Sequence, residues 1–482
     1  MKQVSSLFLL GTLSCLMGGY GFFGRAAFAA DPPDEGPTED FLDTPIDNGA
    51  ADRQDQDPSV ERFLQEEEFP RYDGSGATAG PPESNDPSAN PIFLQIEGYA
   101  DFGFFIPTGD GTGVRQDPGG QGSQDFGGRF AWSFFGDLLS TAVNSRGEAA
   151  DLGDLPGVQR FDSINSQGAA GFVLNEVNLR LRSHPAERVS LLASINFVPR
   201  TGRDFSLGDF VEVELAQLEW QPFAQHPTSI FVGKIEPTVG VEYRDRRSDR
   251  RFGVTPSLLA RYTTGTQLGV KVRSLLFERL LILTAAFTNG SATTEQFHFY
   301  DEVDSNSGKT VSGRVAVNIP LQPLLAGRLE LGVSGAYGPQ DVARDVRDGQ
   351  WLAAADAFYD GVEFFLRAEV LRGGSPGRAV DGAYGLDLRF AGYLEAGWRI
   401  NALVGVYGRL DLRDALVTLG DDRAYLSRTW RGTLGVRGTI NPFLAIKAEY
   451  LHNGEFGELP TIPNDVLTSS LVVTWSPTFG SY

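Results

Sequence analysis

Cysteine is all but absent from this chain, whose single thiol, Cys15, lies in an apolar run from Val4 to Phe23. That run follows Lys2 and leads into Ala27-Phe28-Ala29. Charge, apolar stretch and small residues in that order predict a secretory signal peptide over residues 1–29. A mature chain without thiols excludes disulfides, cysteine metal ligands and cysteine nucleophiles together. Long apolar runs are missing beyond this segment. No later stretch reaches the roughly eighteen residues a spanning helix needs, so a membrane location calls for a barrel. Positive charge is short too: the formal net charge of -21 disfavours nucleic acid, whose phosphates it would repel.

The acidity is concentrated near the start. Residues 31–91 carry 17 Asp or Glu against Arg53, Arg62 and Arg71, a balance of -14, together with ten of the 27 prolines. So little apolar surface cannot offset chain entropy, which predicts a disordered, Pro-rich acidic tail over residues 30–91. Within it Val60 to Phe69 reads as a solvated charged segment or a short amphipathic helix.

From residue 92 onward the pattern changes to short segments of period two. Leu94, Ile96, Gly98, Ala100, Phe102 and Phe104 share one face, with Gln95, Glu97, Tyr99 and Asp101 on the other. The same alternation recurs at Val311 to Ile319, Val362 to Val370 and Trp430 to Ile440. The expected fold class is therefore all-β, a transmembrane antiparallel β-barrel over residues 92–482 with about sixteen strands. The strands are placed near 93–106, 171–182, 189–197, 210–220, 228–235, 259–273, 280–287, 310–319, 328–337, 351–359, 362–371, 383–399, 402–412, 429–440, 443–451 and 466–475. The segment 210–220 is ambiguous because neither face is cleanly apolar.

A β-sandwich would also alternate, but it has no reason to sort its connections. Here long and short links alternate throughout, with an even strand number and both ends on the short side, as an outer-membrane barrel requires. Terminal outward positions carry aromatics: Phe197, Phe287, Tyr337, Trp430 and Tyr450 at one end, Trp398 and Trp475 at the other. These suit two interfacial girdles in a cell outer membrane of Gram-negative type, with the tail in the periplasm. Lipid and lipopolysaccharide are then the surrounding partners.

The passage GKIEPTVGVEYR, Gly233 to Arg244, resembles the phosphate-selective porin O and P family, whose members carry a similar Gly-Lys-x-x-x-Pro-x-x-Gly-x-Glu passage; here two residues stand between Lys234 and Pro237. FTNG from Phe287, AGYLEAGWRI, GVYGRLDLRD and GTLGVRGTINPFLAIKAEYLHNG follow in the family's order, over roughly residues 228–475. The resemblance implies a sixteen-stranded, often homotrimeric porin passing anionic solutes. The acidic tail and the long first loop depart from it.

Candidate chemistry is sparse. His184 and His226 are expected in short turns, His298 in a loop and His452 at a loop start. None stands on a predicted wall strand, where a Ser–His pair would need it, so no enzyme is expected. No metal or cofactor is expected either. TGDGTG in the first loop and Ala150 to Gly157 lack the oxygen spacing of a calcium site and read as surface loop. Phe130 to Leu139, also in the first loop, is too apolar for free solvent.

The basic cluster Arg244, Arg246, Arg247, Arg250 and Arg251 stands among Glu242, Asp245 and Asp249, locally +2. Residues 92–482 otherwise lean acidic, with 36 basic against 45 acidic side chains. Two readings are open: the third outer loop folds into the lumen and its guanidinium forks draw anions, or the cluster is a solvated network or a lipopolysaccharide clamp. Lys234, Lys271, Arg273 and Arg314 join it as candidate anion-attracting positions. The expected function is passive diffusion of small hydrophilic solutes, with an anion or phosphate preference. The alternative is a structural or surface-interaction barrel plugged by its long first loop, 108–168.

Overall fold

Alternation along the chain becomes a closed wall in the computed structural model. It describes residues 93–107, 115–116, 132–133, 170–197, 211–223, 226–290, 306–321, 327–341, 344–345, 348–377, 384–419, 422–456, 465–475 and 478–479. The wall strands are β1 (Phe93–Pro107), β2 (Gly171–Ala186), β3 (Val189–Phe197), β4 (Val211–Trp220), β5 (Thr228–Ile235), β6 (Gln267–Leu276), β7 (Leu281–Thr288) and β8 (Thr310–Pro320). They continue as β9 (Arg328–Pro339), β10 (Gly349–Asp360), β11 (Phe364–Ser375), β12 (Tyr384–Arg399), β13 (Val404–Leu419), β14 (Asp422–Asn441), β15 (Leu444–Glu455) and β16 (Val466–Trp475). Each pairs antiparallel with its sequence neighbours, and β1 pairs with β16 from Gly98–Trp475 to Pro107–Val466, so the sheet closes without an edge. A two-residue strand, Thr478–Phe479, extends the seam beside Leu94 and Gln95.

Period two sorts the side chains as the bilayer demands. Phe102, Val272, Val315, Val370, Leu394 and Leu434 are exposed on the outside, while Asp101, Arg180, Lys271, Arg314, Glu369 and Arg431 are buried on the inside. In water this would be an inside-out protein; in lipid it is the stable arrangement, because closure satisfies every strand. The girdle aromatics Phe197, Phe287, Tyr337, Tyr450 and Trp398 are all exposed.

Four expectations are corrected. The strand placed at 259–273 starts at Gln267, and Ala260–Thr263 is a single helical turn. Leu258, Leu259, Ala260 and Tyr262 are buried inside the barrel, so their apolar character serves an internal cluster and not the lipid face. The outer link after β13, expected to be long, is a hairpin: β13 and β14 extend until only residues 420–421 separate them. His184 and His452 lie on strands β2 and β15, not in connections, because both strands run past their expected ends. Glu363, expected on the wall, is in the 361–363 turn.

The ambiguous strand β4 has a physical explanation. Ser194 pairs with Leu215 but Ile195 pairs with Val213, so Glu214 is a β-bulge. Val211 and Val213 face out before it, and Ala216, Leu218 and Trp220 face out after it. One inserted residue switches the alternation phase, and no single face of the sequence can look apolar throughout. The acidic tail and most of the first loop, including TGDGTG, Phe130 to Leu139 and Ala150 to Gly157, lie outside the described residues, as does His298.

Candidate functional site: a loop across the lumen

Sixteen strands enclose a lumen too wide for side chains alone to fill. The segment 236–266, which links β5 to β6, turns inward and crosses it. None of its described residues is exposed. Two kinds of contact hold it there.

One is apolar. Val239, Leu259 and Tyr262 of the loop pack against Leu352, Leu371, Leu386, Leu388, Ala391 and Tyr393 on the inner face of β10–β12. Phe252 packs against Phe365 and Tyr407, with ring centroids 4.9 and 5.6 Å apart. Burying each large side chain stabilises the docked loop by about 1.5–3 kcal/mol.

The other is polar, and it runs around the wall. Arg244 makes a bidentate pair with Glu330 of β9 at 2.8 and 3.1 Å. Arg367 of β11 meets Asp245 at 2.9 Å. Arg246 reaches Glu214 of β4 at 2.8 Å, so the bulge that aims Glu214 inward supplies a partner for the loop. Arg247 spans Asp249 at 2.7 Å and Glu97 of β1 at 3.3 Å, and Ser248 donates to Asp101 of β1.

Backbone groups of the loop are satisfied from the wall as well. Glu369 of β11 accepts the amides of Val241 at 3.0 Å and Glu242 at 3.2 Å. Gly240 sits beside this carboxylate with φ +76, and a Cβ there would strike it, which explains the glycine of the motif. Glu449 of β15 accepts the amides of Val254 and Thr255 and the hydroxyls of Thr255 and Tyr407. Lys447 donates to the carbonyls of Ser248, Arg251 and Gly253, and Arg409 to those of Thr255 and Pro256. A buried loop needs such partners, since each orphaned group costs about 1–3 kcal/mol.

The electrostatics follow from this pairing. Burial alone would lower the Arg244 pKa, but the Glu330 carboxylate outweighs it and the guanidinium is held well above its ordinary value. Arg247 is raised likewise, burial being outweighed by Asp249 and Glu97. Burial pushes the Glu242 carboxyl up to about 7 against the Ser257 hydrogen bonds and the attraction of Arg409, with Asp411 adding to the rise.

Each residue proposed from the sequence can now be placed. The five loop arginines are brought together inside the barrel, engaged with carboxylates or carbonyls. Lys234 is buried on β5. Lys271 donates to the Glu236 carbonyl at 3.1 Å, and it and Arg273 lie over the Phe231 ring. Arg314 pairs with Glu330 at 2.8 Å and with Asp356. Sequence reasoning missed the loop's anchors: Glu97, Asp101, Glu214, Glu449, Asp411 and Lys447. Inward parity was the available signal, but it cannot say which inward charge a distant loop will meet.

One sector of the lumen is distinct. Arg180 and Arg182 of β2 and Arg247 and Arg250 of the loop all act electrostatically on Glu97, and Arg180 approaches it to 3.5 Å. Among the described residues no group of three or more acidic or histidine side chains could hold a metal ion.

No family model and no curated protein matches the sequence. Among solved structures the barrel is similar to the outer membrane channel DcaP of Acinetobacter baumannii, at 10% identity over 82% of this chain and 100% of that one, TM-score 0.49. It is also similar to an anion-selective porin from Comamonas acidovorans, at 9% identity over 80% and 99%, TM-score 0.47. Pseudomonas putida OprB matches at 8% identity over 80% and 94%, TM-score 0.44.

Proposed function

We propose that this chain is an outer-membrane porin for passive diffusion of small hydrophilic solutes, with loop 236–266 as its constriction and a preference for anions. One observation carries the reading: an apolar exterior surrounds a lumen that is charged and, among the described residues, crossed by a loop tied to opposite walls. The preference is assigned to the sector around Arg180, Arg182, Arg247 and Arg250, where four guanidiniums converge on Glu97 with Asp249, Glu214 and Glu219 also acting on them. Such forks suit phosphate or carboxylate solutes. This agrees with the resemblance to the phosphate-selective porin O and P family, which also implies a homotrimer. The acidic tail is assigned to the periplasm because β1 starts on the side of the short turns.

Purified protein in a planar bilayer should give discrete conductance steps and an anion-directed reversal potential under a salt gradient. A folded but silent barrel would overturn the channel reading. That outcome would favour a plugged barrel, for which the observation is the loop's bonding to β1, β4, β6, β9, β11 and β13–β15. The plug would then include the third outer loop.

A further inference from the structure

The outer surface of the wall ends differently at its two rims. Toward the long connections, lipid-side positions on six neighbouring strands end in charge. These are Arg372 on β11, Asp387–Arg389 on β12 at 3.1 Å, Asp414–Arg428 between β13 and β14 at 3.4 Å, and His452–Asp465 beside β15 and β16 at 2.8 Å. The His452–Asp465 pair is buttressed by Tyr450, whose hydroxyl donates to Asp465 at 2.6 Å and helps hold that carboxyl below its ordinary range despite burial. Toward the short turns the lipid-side positions stay apolar to the last residue. On β9, β10 and β12 the charges near that rim, Arg328, Asp360 and Arg399, fall on the lumen-side alternation, while Glu363 stands in a turn and the β2–β3 and β6–β7 turns carry Glu187, Arg188, Glu278 and Arg279. The turn tips themselves expose Phe223, Phe277, Val362, Leu403 and Phe443, at 56, 74, 77, 59 and 60%. The 277–280 turn even adopts left-handed backbone at three non-glycine residues, Phe277, Glu278 and Arg279, with Phe277 projecting outward.

Strand length shows what these tips are for. Below the charged row, the outward apolar run spans Val370 to Phe364, Leu412 to Val404, Tyr450 to Leu444 and Leu467 to Trp475. At about 3.3 Å per residue and a tilt of about 40°, six to eight such steps cover only about 15–20 Å of the membrane normal. The apolar band of a barrel of this kind is about 25 Å tall. On these four strands two to four further residues make up the difference, and those residues are the turns; on β14 the outward run from Trp430 to Ile440 reaches the same height within the strand, level with the 400–403 turn beside it.

We infer that the short turns of the β10–β16 half are immersed in the phospholipid leaflet, with Val362, Leu403 and Phe443 at the boundary between acyl chains and headgroups. The partner of this rim is a phospholipid monolayer. The inference rests on the outer-membrane reading above.

The near-absence of cysteine makes the test clean. On a Cys15→Ser background, Val362→Cys, Leu403→Cys and Phe443→Cys each offer one thiol at an exposed tip, and Leu394→Cys offers one in mid-belt. Nitroxide labels in folded, heat-modifiable barrels reconstituted in phosphatidylethanolamine–phosphatidylglycerol vesicles report collision with oxygen against a nickel chelate. The expected result is oxygen-dominated collision at all three tips, with a ratio below that at position 394. Chelate-dominated tips beside an oxygen-dominated position 394 would overturn the inference and leave the membrane reading standing, whatever aqueous partner then covers the rim. Chelate dominance at position 394 as well would overturn both.

Discussion

The two flanks of the lumenal loop use the same residue types to different ends. On the β9–β13 flank, Arg244, Arg314, Arg367 and Arg409 meet Glu330, Asp356, Asp245, Glu395 and Asp411, and an apolar cluster lies against them. On the β1–β2 flank, Arg180, Arg182, Arg247 and Arg250 surround Glu97, and Asp249 is held by Arg247. Where carboxylates match guanidiniums, charge is spent on holding the loop. Where four guanidiniums converge on Glu97, the proposed function assigns them to a solute as well as to the loop. The number of arginines in a lumen is therefore a poor guide to selectivity; their partners decide.

The largest effect is expected from cutting the anchor. Glu449→Ala orphans two amides and two hydroxyls, costing about 3–5 kcal/mol of loop docking. Single-channel conductance should rise and become noisy; an unchanged trace would show that the loop is not the constriction. Arg244→Gln leaves Glu330 without its bidentate partner and should destabilise the docked loop by about 3–5 kcal/mol. In chemical unfolding it should lower the midpoint, and by more than Arg180→Gln with Arg182→Gln, which leave Glu97 paired with Arg247.

That double variant should instead shift the reversal potential toward cations at 0.1 M salt. The shift should fade at 1 M, where the screening length is about 3 Å. Equal shifts from Arg244→Gln and from the double variant would erase the distinction between the flanks. A smaller change of opposite sign is expected from Glu97→Gln, which removes the carboxylate shared by the four guanidiniums and should strengthen anion preference in the same gradient measurement.

The smallest effect concerns pH. Glu242, in the loop and not in a wall strand, has its carboxyl raised from 4.5 to about 7, so the docked loop favours the neutral acid. Its contribution is full below about pH 4.5 and is lost as pH rises through about 7. Glu242→Gln should match the parent at pH 4 and exceed it at pH 8 by about 1–2 kcal/mol, after discounting for its partial exposure. Thermal unfolding in detergent at both pH values checks this, and the same difference at pH 4 as at pH 8 would contradict it.

The wall was readable because lipid and lumen impose a single period on it, so Leu94 to Phe104 or Trp430 to Ile440 display their faces directly. β4 was not, because a bulge reverses phase at Glu214 without any mark in composition. Leu258 to Tyr262 misled for a related reason: apolar residues packed inside a lumen look like apolar residues facing lipid. The loop arginines were legible as a cluster, and their inward fold was one of two open readings. Their neutralisation was not legible, since Arg244–Glu330 and Arg247–Glu97 join positions 86 and 150 residues apart and only the closed barrel brings them together.

The seam between β1 and β16 carries a consequence for how the protein forms. Gly98 pairs with Trp475, almost the full length of the wall away in sequence. Every other wall pairing joins successive strands and can zip up locally, but this one must wait until both ends of the sheet are in place. Loop-closure entropy makes such a contact late and slow. Until it forms, β1 and β16 are two open edges within one chain, each able to pair with a foreign strand. Assembly of this barrel is thus gated at the seam, and its refolding rate should respond to changes at Tyr99–Thr474 or Asp101–Val472 more than to equal changes in any interior hairpin.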